Sequence, residues 1–438
     1  MSRKAQTDSA SQKDAGDLVK GALVNYLGMI AKTSKVLFMF VAARVYGMET
    51  LGLYLLSWSV VDIASKFGLW GIDRSLIRDI SRYHKDEGEA NRIRLFGIIR
   101  FNIGLVIGLS FLTTVVVYFL IPLIAVQGLH KPNLIPPLRI LVFAIPFITL
   151  THSFIATTKA LRIMKYEALI RSGLEPLVLL LGTLALIPFK MGVIALVSAH
   201  IFASAVAAVG AASVAIRKYR YLGWQHQALS AEDKKETLRY TSPIAVMDML
   251  SLLVARSDIL LVGRLMNEAA AGLYGIAVEI ISVVKRIRQG FEPIFAPIVS
   301  ELFYTKEKSR LHRNYVIVTR WLMAGSLLPA LAMILYPAQL LSLFGREATA
   351  AAGALVVLAI SHGLFGTFSA AESLLVMTGK TLLNTILAAA MLSINIAVSL
   401  WLIPKLGLVG AALGMLTAFA FVSAARLYHG YRFYGIHP

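Results

Sequence analysis

Twelve apolar segments recur along the chain, and they decide what it can fold into. They are 21–43, 51–72, 96–119, 138–161, 168–189, 193–216, 241–263, 270–291, 315–336, 351–379, 382–404 and 408–428. An α-helix needs roughly 20 mostly apolar residues to cross a bilayer, so each segment is predicted to span a membrane. The sequence is 57% hydrophobic and only 15% charged, with a mean hydropathy of +0.71. Soluble domains carry about 25% charged residues. We therefore predict an all-α integral membrane protein with about 12 transmembrane helices.

The distribution of Lys and Arg predicts the orientation of these helices. Residues 1–20 are polar and lack the pattern of a cleavable signal peptide, so the first segment is expected to remain a span. Of the 43 Lys and Arg residues, 32 lie on the side of the N-terminus, seven on the other side and four within spans. Positive loops stay in the cytoplasm, which predicts cytoplasmic N- and C-termini. The net charge of +19 then belongs to the cytoplasmic face, and nucleic acid is not expected as a partner.

A short motif near the start of the chain recurs in its second half. The turn after the first span and the residues that follow it share one spacing with a segment 220 positions later: Arg44, Gly52, Leu53 and Tyr54 correspond to Arg264, Gly272, Leu273 and Tyr274. Such duplication is typical of transporters built from two repeats. We predict a cytoplasmic tail at 1–20, an N-lobe of six spans at 21–216, a connector at 217–240 and a C-lobe of six spans at 241–438. A pseudo-two-fold axis along the membrane normal would relate the two lobes.

Two further local features are expected. Apolar residues at helical spacing among basic ones, as at Leu76 and Ile80, predict that 73–95 and 300–313 form helices lying on the anionic inner leaflet. The tenth span is long and is expected to be tilted or broken near Gly363 and Gly366.

Charged residues deep in the first two spans are the first candidates for function. A charge near the bilayer centre costs at least about 2.5–3.5 kcal/mol, so it usually faces a wet cavity or a partner. Lys32 and Lys35 share one helix face, and Asp62 and Lys66 share another. One interpretation is a cationic cavity wall that binds an anionic substrate. The other is a structural ion pair between Lys32 and Asp62, which lie at similar depths.

The second half carries its own mid-span charges. Arg256 is a candidate for binding an anionic head group, and Asp258 and Glu279 are candidates for a coupling proton or sodium ion. Glu372 in the tenth span is a further candidate for lining a cavity. Internal pairing of these charges is the competing interpretation, and the sequence leaves both open.

Enzymatic sites are not indicated. The chain has no cysteine, which excludes disulfides, thiolate metal sites and cysteine nucleophiles. No segment matches the Gly-x-x-x-x-Gly-Lys-Ser/Thr pattern of a nucleotide-binding loop, so the sequence does not indicate transport driven by ATP. The outer turns are too short for a catalytic domain such as a membrane glycosyltransferase or ligase would need. We expect no enzyme activity, no cofactor and no metal site.

The first hundred residues resemble a known family. The resemblance rests on Lys20-Gly21-Ala22, Ala43-Arg44-Val45-Tyr46-Gly47, Leu51-Gly52-Leu53-Tyr54, Gly68-Leu69 and Asp73-Arg74-Ser75-Leu76-Ile77-Arg78. These features are similar to the N-terminal pattern of the polysaccharide transporter family (Wzx-type flippases for O-antigen and other lipid-linked oligosaccharides) within the multidrug/oligosaccharidyl-lipid/polysaccharide (MOP) superfamily. The layout of twelve spans extends the resemblance over nearly the whole chain.

This resemblance implies a flippase in the bacterial inner membrane. Its substrate would be an undecaprenyl-diphosphate-type lipid-linked oligosaccharide, moved from the cytoplasmic to the outer leaflet by alternating access for lipopolysaccharide or other surface polysaccharide. Membrane lipids, a polysaccharide polymerase and glycosyltransferases are the expected partners. The competing function is an ion-coupled multidrug/cation antiporter of the same superfamily. The lysines favour an anionic substrate, whereas Asp62, Asp258 and Glu279 suit an antiporter.

Overall fold

The computed structural model describes residues 34–84, 88–223, 229–365, 368 and 370–435, with only the backbone described at 288–294 and 296–297. All regular structure in these ranges is helical. The α-helices are α1 (34–41), α2 (Met48–Leu69), α3 (Ile72–Tyr83), α4 (Glu89–Pro122), α5 (Ile135–Leu141), α6 (Ala144–Ala160), α7 (Lys165–Leu169), α8 (Glu175–Ala185), α9 (Val193–Tyr219), α10 (Ala231–Leu265), α11 (Glu268–Tyr304), α12 (Lys308–Leu335), α13 (Pro337–Ser342), α14 (Ala352–Leu364), α15 (Ala370–Met377), α16 (Thr381–Leu406) and α17 (Leu408–Tyr434).

The helices agree with the predicted all-α membrane fold, since the described part of every predicted span is mainly helical, with short turns such as those at 70–71 and 142–143. Among the described residues, seven helical segments are long and apolar enough to cross a membrane: Glu89–Gly128, Lys165–Ala185, Val193–Leu222, Lys308–Leu335, Arg346–Leu364, Thr381–Leu406 and Leu408–Tyr434. A pair bent by 46°, Pro132–Leu141 with Ala144–Ala160, makes an eighth if it is one span. The long helices α2, α10 and α11 do not pass this test. These are the helices that carry mid-span charges, which lower their mean hydropathy.

The expected interruption of the tenth span is confirmed. Helix α14 ends at Leu364 and α15 begins at Ala370. A Cβ atom on Gly363 would lie 2.6 Å from the Cβ atom of Ala330, so this glycine lets α14 approach α12 closely. Gly366 lies outside the described residues.

The prediction of two helices lying on the membrane surface is wrong. Residues 72–83 do form the amphipathic helix α3, but Ile72, Leu76 and Ile80 are fully buried against Leu95 and other residues of α4, α6 and the end of α9. The apolar face is therefore used by the protein itself and not by lipid. The second segment, 300–313, is not a separate helix at all. It contains the end of α11, a turn and the start of α12.

The chain forms two compact units. The first comprises the described parts of Met1–Met39, Ala64–Leu120 and Leu138–Ala245, and the second those of Phe40–Ile63, Ile121–Pro137 and Val246–Pro438. In the first unit the packing of α3, α6 and α9 encloses a hydrophobic cluster. In the second, α16 packs on α17, and α11, α12 and α14 pack together. The division into lobes at 21–216 and 241–438 stays a prediction.

The sequence repeat has a structural counterpart inside the second unit. A Cβ atom on Gly52 would lie 1.7 Å from the backbone oxygen of Glu268, and one on Gly272 would lie 2.2 Å from that of Met48. Since Met48 and Glu268 occupy equivalent positions in the two copies, the contact is reciprocal. The order of buried and half-buried residues over 51–60 is also identical to that over 271–280. Helices α2 and α11 therefore meet backbone to backbone at the glycine shared by both copies.

This contact predicts that Gly52→Ala and Gly272→Ala destabilise the protein. Each new methyl group would meet a backbone oxygen that no side-chain rotation can move, and overpacking of this kind costs about 1–3 kcal/mol. We expect a lower thermal unfolding midpoint (Tm) for both variants in detergent.

The matched control is Gly104→Ala in α4, where an added Cβ atom meets nothing within 4 Å. Replacing a glycine inside a helix by alanine gains about 1 kcal/mol, so its Tm is expected to stay or rise. An unchanged Tm for both Gly52→Ala and Gly272→Ala would contradict the close contact.

Candidate functional site

Asp62 and Arg256 form an ion pair that joins α2 to α10 within the second unit. Arg256 donates to Asp62 Oδ2 from Nη2 at 2.8 Å and from Nε at 3.1 Å. The Arg256 side chain is 25% exposed and that of Asp62 is 18% exposed. The partner expected for Asp62 was Lys32, which lies outside the described residues. Arg256 binds this carboxylate, because a guanidinium can direct two N–H groups at one carboxylate, and the Lys32–Asp62 contact stays a prediction.

Asp258 lies two residues further along α10 and is the centre of a buried hydrogen-bond network. Asn395 Nδ2 donates to Asp258 Oδ1 and also to Ser257 Oγ at 2.9 Å, and Tyr274 Oη donates to Asp258 Oδ2 at 3.1 Å. Asp258 is 5% exposed, while Asn395 and Tyr274 are fully buried. Each carboxylate oxygen therefore has a donor, and the network ties α10, α11 and α16 together.

The other two candidate carboxylates also have cationic partners. Glu279 is 8% exposed, and Arg286 lies two turns further along α11 with Nη2 at 3.1 Å from Glu279 Oε1. Arg426 Nη1 lies 2.9 Å from Glu372 Oε2 and its Nη2 donates to Asn384 Oδ1 at 2.9 Å. The Arg426 side chain is only 11% exposed. It links α15, α16 and α17.

Two of the three candidate lysines lie within the described residues. In the first unit, Lys35 in α1 is exposed and Lys66 in α2 is half-buried. Lys66 lies one helical turn from Asp62 along α2. Lys32 lies outside the described residues, so its predicted place in a cationic wall stays a prediction.

The structure thus brings together Asp62 and Arg256, while Asp258, Glu279 and Glu372 each belong to a separate set of contacts. Three of the four carboxylates have a cationic partner and Asp258 has two neutral donors, while the choice between cavity lining and internal pairing stays a prediction. Sequence reasoning missed Asn395, although Asn395 and Ser399 are four residues apart in an apolar span and so lie on one face. Tyr274 was noted only as part of the repeat.

Two cations near the predicted outer ends bind main-chain carbonyls within the second unit. Arg44 donates to the carbonyls of Leu343 and Ser342, both at 3.0 Å, at the end of α13. Lys131 Nζ donates to the Met266 carbonyl at 3.0 Å, just after α10, and lies 3.7 Å from Glu268. The segments 40–63 and 121–137 are held to the rest of the second unit by these contacts and by the Gly52–Gly272 approach.

The Asp62–Arg256 pair predicts a stability pattern in charge variants. Arg256→Ala leaves a partly buried carboxylate without its guanidinium. Buried pairs cost about 3–5 kcal/mol to break and exposed ones at most about 1 kcal/mol, so we expect a loss of about 1–3 kcal/mol here. The exchanged protein, Asp62→Arg with Arg256→Asp, should recover part of that loss. The Tm values of Asp62→Arg, Arg256→Asp and the exchange test the pairing. An exchange less stable than both of these single variants would contradict it.

Solved structures with the same fold are transporters of the MOP superfamily. A multidrug resistance MATE family transporter in an inward-facing conformation is 14% identical, with a TM-score of 0.74 over 94% of this chain and 97% of that one. The lipid II flippase MurJ, in an inward closed conformation, is 13% identical with a TM-score of 0.75 over 93% and 87%. A MOP superfamily transporter from Pyrococcus furiosus is 13% identical with a TM-score of 0.63 over 94% and 93%. At these identities the likeness establishes the fold.

The family of the protein is identified from its sequence. No curated protein gives a significant match to the chain. The family described as "Polysaccharide biosynthesis protein" matches residues 41–345, which is most of the chain and includes the Arg44 turn, both copies of the repeat and the Asp62–Arg256 pair. The chain therefore belongs to the polysaccharide biosynthesis protein family, with the membrane-transporter fold of the MOP superfamily.

Proposed function

We propose that this protein is a flippase that moves a polyprenyl-diphosphate-linked oligosaccharide from the cytoplasmic to the outer leaflet of the bacterial inner membrane. One observation carries the proposal: a member of a polysaccharide biosynthesis family has a transporter fold. Such a protein contributes to polysaccharide synthesis by moving material across the membrane. The lipid II flippase MurJ shares the fold, which supports a lipid-linked substrate. The product would be surface polysaccharide such as O-antigen, made together with glycosyltransferases and a polymerase.

The diphosphate of such a substrate needs cations inside the membrane. Transferring an uncompensated charge out of water is prohibitively costly, and charge-assisted hydrogen bonds to phosphate offset that cost. Lys35 is exposed in α1, and Lys66 is half-buried in the part of α2 that belongs to the first unit. An ammonium at such a position is itself costly unless it faces water or an anion. We assign Lys35 and Lys66, together with Lys32, to binding the diphosphate, with the partly exposed Arg256 as a further cation.

Alternating access requires contacts that close one side and later separate. We assign this role to the contacts that Arg44 and Lys131 make with main-chain carbonyls and to the Gly52–Gly272 approach, which lie near the predicted outer ends of their helices. A single hydrogen bond to a charged group contributes only about 1.5–3 kcal/mol net. Two or three such contacts are strong enough to stabilise the state closed on that side and weak enough to break when the side opens. The excess of Lys and Arg on the other side supports cytoplasmic N- and C-termini.

An ion-coupled drug or cation antiporter is the second candidate. It is favoured by the mid-span carboxylates Asp258 and Glu279 and by the likeness to a multidrug resistance MATE family transporter. In an antiporter these carboxylates would bind the coupling ion or the cationic drug, and the lysines would have no role. In the flippase, Asp258 holds helices together through Asn395, and Glu279 is paired with Arg286 within α11.

The flippase predicts that the charge at Lys35 and Lys66 is needed for surface glycan. In the native host lacking its own copy, Lys35→Gln and Lys66→Gln are expected to lower surface polysaccharide at least tenfold in combination, at matched protein level. Lys35→Arg and Lys66→Arg keep the charge and are expected to retain most of it. Surface glycan measured by gel and antibody staining, with the protein quantified by immunoblot, tests this.

Drug susceptibility in the same strains separates the two candidates. Normal glycan in the Lys→Gln double variant would remove the lysines from the mechanism. The antiporter function would be assigned instead by two results together. The strain lacking the gene would have normal glycan, and it would show a new sensitivity to cationic drugs that Asp258→Asn fails to complement.

A further inference from the structure

A cavity of about 390 Å³ lies in the second unit where α11 ends, α12 begins and α17 ends. Its walls are apolar. Leu302 and Leu311 are 4% and 2% exposed and belong to a hydrophobic cluster beneath it, and the ring of Phe303 packs edge-on against Tyr434 at 5.8 Å between centroids. Ligand sites of about 300–1,000 Å³ are usually preformed and mostly apolar. This cavity falls at the small end of that range and is separate from the charged residues assigned to transport.

Two lysines stand at the rim of this cavity. Lys306 and Lys308 line it and are both exposed. The acidic residue between them, Glu307, lies 2.7 Å from Arg310 and accepts a hydrogen bond from Thr305. Its charge is therefore already balanced by a neighbouring cation, and the rim as a whole is positive. An apolar interior with a cationic rim is complementary to an amphiphile that has an anionic head.

The backbone at Lys306 holds a lysine where a glycine would be easier to accommodate. Lys306 has φ +60°, and the turn closes with hydrogen bonds from Lys306 N to Phe303 O at 3.1 Å and from Glu307 N to Leu302 O at 3.0 Å. This is the Schellman arrangement, in which the left-handed position is usually glycine. The left-handed conformation is strained for a residue with a Cβ atom. This conformation is shared by four other non-glycine residues, so it is consistent with a binding site but is not the observation that identifies one.

The surroundings are those of a membrane surface. Tyr304 lines the cavity and is 72% exposed, and Lys380 lies over the ring of Phe433, with its nitrogen 4.9 Å from the ring centroid. Tyrosine and basic residues concentrate at the level of lipid head groups. The topology predicted from charge puts this end of α11 on the cytoplasmic side, where anionic lipids attract lysines. A ligand entering here would come from the bilayer.

We propose that this cavity binds an anionic membrane phospholipid, with an acyl chain among Leu302, Phe303, Leu311 and Tyr434 and the phosphate on Lys306 and Lys308. The site is distinct from the transport cations Lys35, Lys66 and Arg256. It does not depend on the identity of the transported substrate. The lipid would fix the α11–α12 turn against the end of α17 and make the stability of the protein sensitive to membrane composition.

The test measures lipid binding to the full-length protein in detergent by native mass spectrometry and by the rise in Tm. Phosphatidylglycerol is expected to remain bound and to raise the Tm, whereas phosphatidylcholine is not. The variant Lys306→Gly with Lys308→Gln is expected to fold at least as well, because glycine suits φ +60°, and to bind phosphatidylglycerol at least tenfold more weakly. Lys165→Gln, an exposed lysine outside the cavity, is the matched control and is expected to bind as the wild type does.

Four results would overturn the proposal. They are equal affinity for phosphatidylcholine, undiminished phosphatidylglycerol binding in the Lys306→Gly, Lys308→Gln variant, equal protection by glycerol 3-phosphate without an acyl chain, and displacement of phosphatidylglycerol by undecaprenyl phosphate at a lower concentration. The third result would make the site one for a free phosphate. The fourth would assign it to the transported class of lipid.

Discussion

The cost of a charged side chain inside an apolar helix explains much of the arrangement in this protein. An unpaired charge near the bilayer centre is costly, so every mid-span carboxylate needs a donor. Arg256 binds Asp62, Asn395 and Tyr274 bind Asp258, Arg286 binds Glu279 and Arg426 binds Glu372. Each contact crosses between helices or spans two turns of one. The charged residues that reduce the hydropathy of α2 and α10, Asp62, Arg256 and Asp258, thus also make contacts between helices.

The close approach of two glycines gives the sequence repeat a physical meaning. Gly52 and Gly272 occupy equivalent positions, and each leaves room for a main-chain oxygen of the other copy. Backbones can approach this closely in membrane helices only where side chains are absent or small. The Leu-Tyr that follows each glycine shows the same burial in both copies. The motif that identifies the duplication is therefore also a point of contact between its two copies.

Sequence alone was sufficient for the helical membrane fold, since long apolar segments have few alternatives in lipid. It also located the break near Gly363 and the charged positions. It could not assign partners, because pairs such as Asp62 and Arg256 are 194 residues apart and depend on packing. It mistook α3 for a lipid-facing helix because the apolar face of Ile72, Leu76 and Ile80 has the same pattern whether it packs on lipid or on protein. The cavity bounded by Lys306 and Lys308 has no sequence signature.

The most direct test of the flippase is transport by the purified protein. Wild-type protein in liposomes is supplied with an undecaprenyl-diphosphate N-acetylglucosamine that carries a fluorophore on the sugar, and a membrane-impermeant reductant then quenches the fluorophore exposed on the outer leaflet. Flippase activity predicts that wild-type vesicles lose the fluorescence that empty vesicles protect, under at least one of two conditions: without a membrane potential, or with one applied to drive transport. It also predicts that Lys35→Gln with Lys66→Gln protects this fluorescence as empty vesicles do. Equal protection in wild-type and empty vesicles under both conditions, or equal quenching in the wild type and the lysine variant, would contradict it.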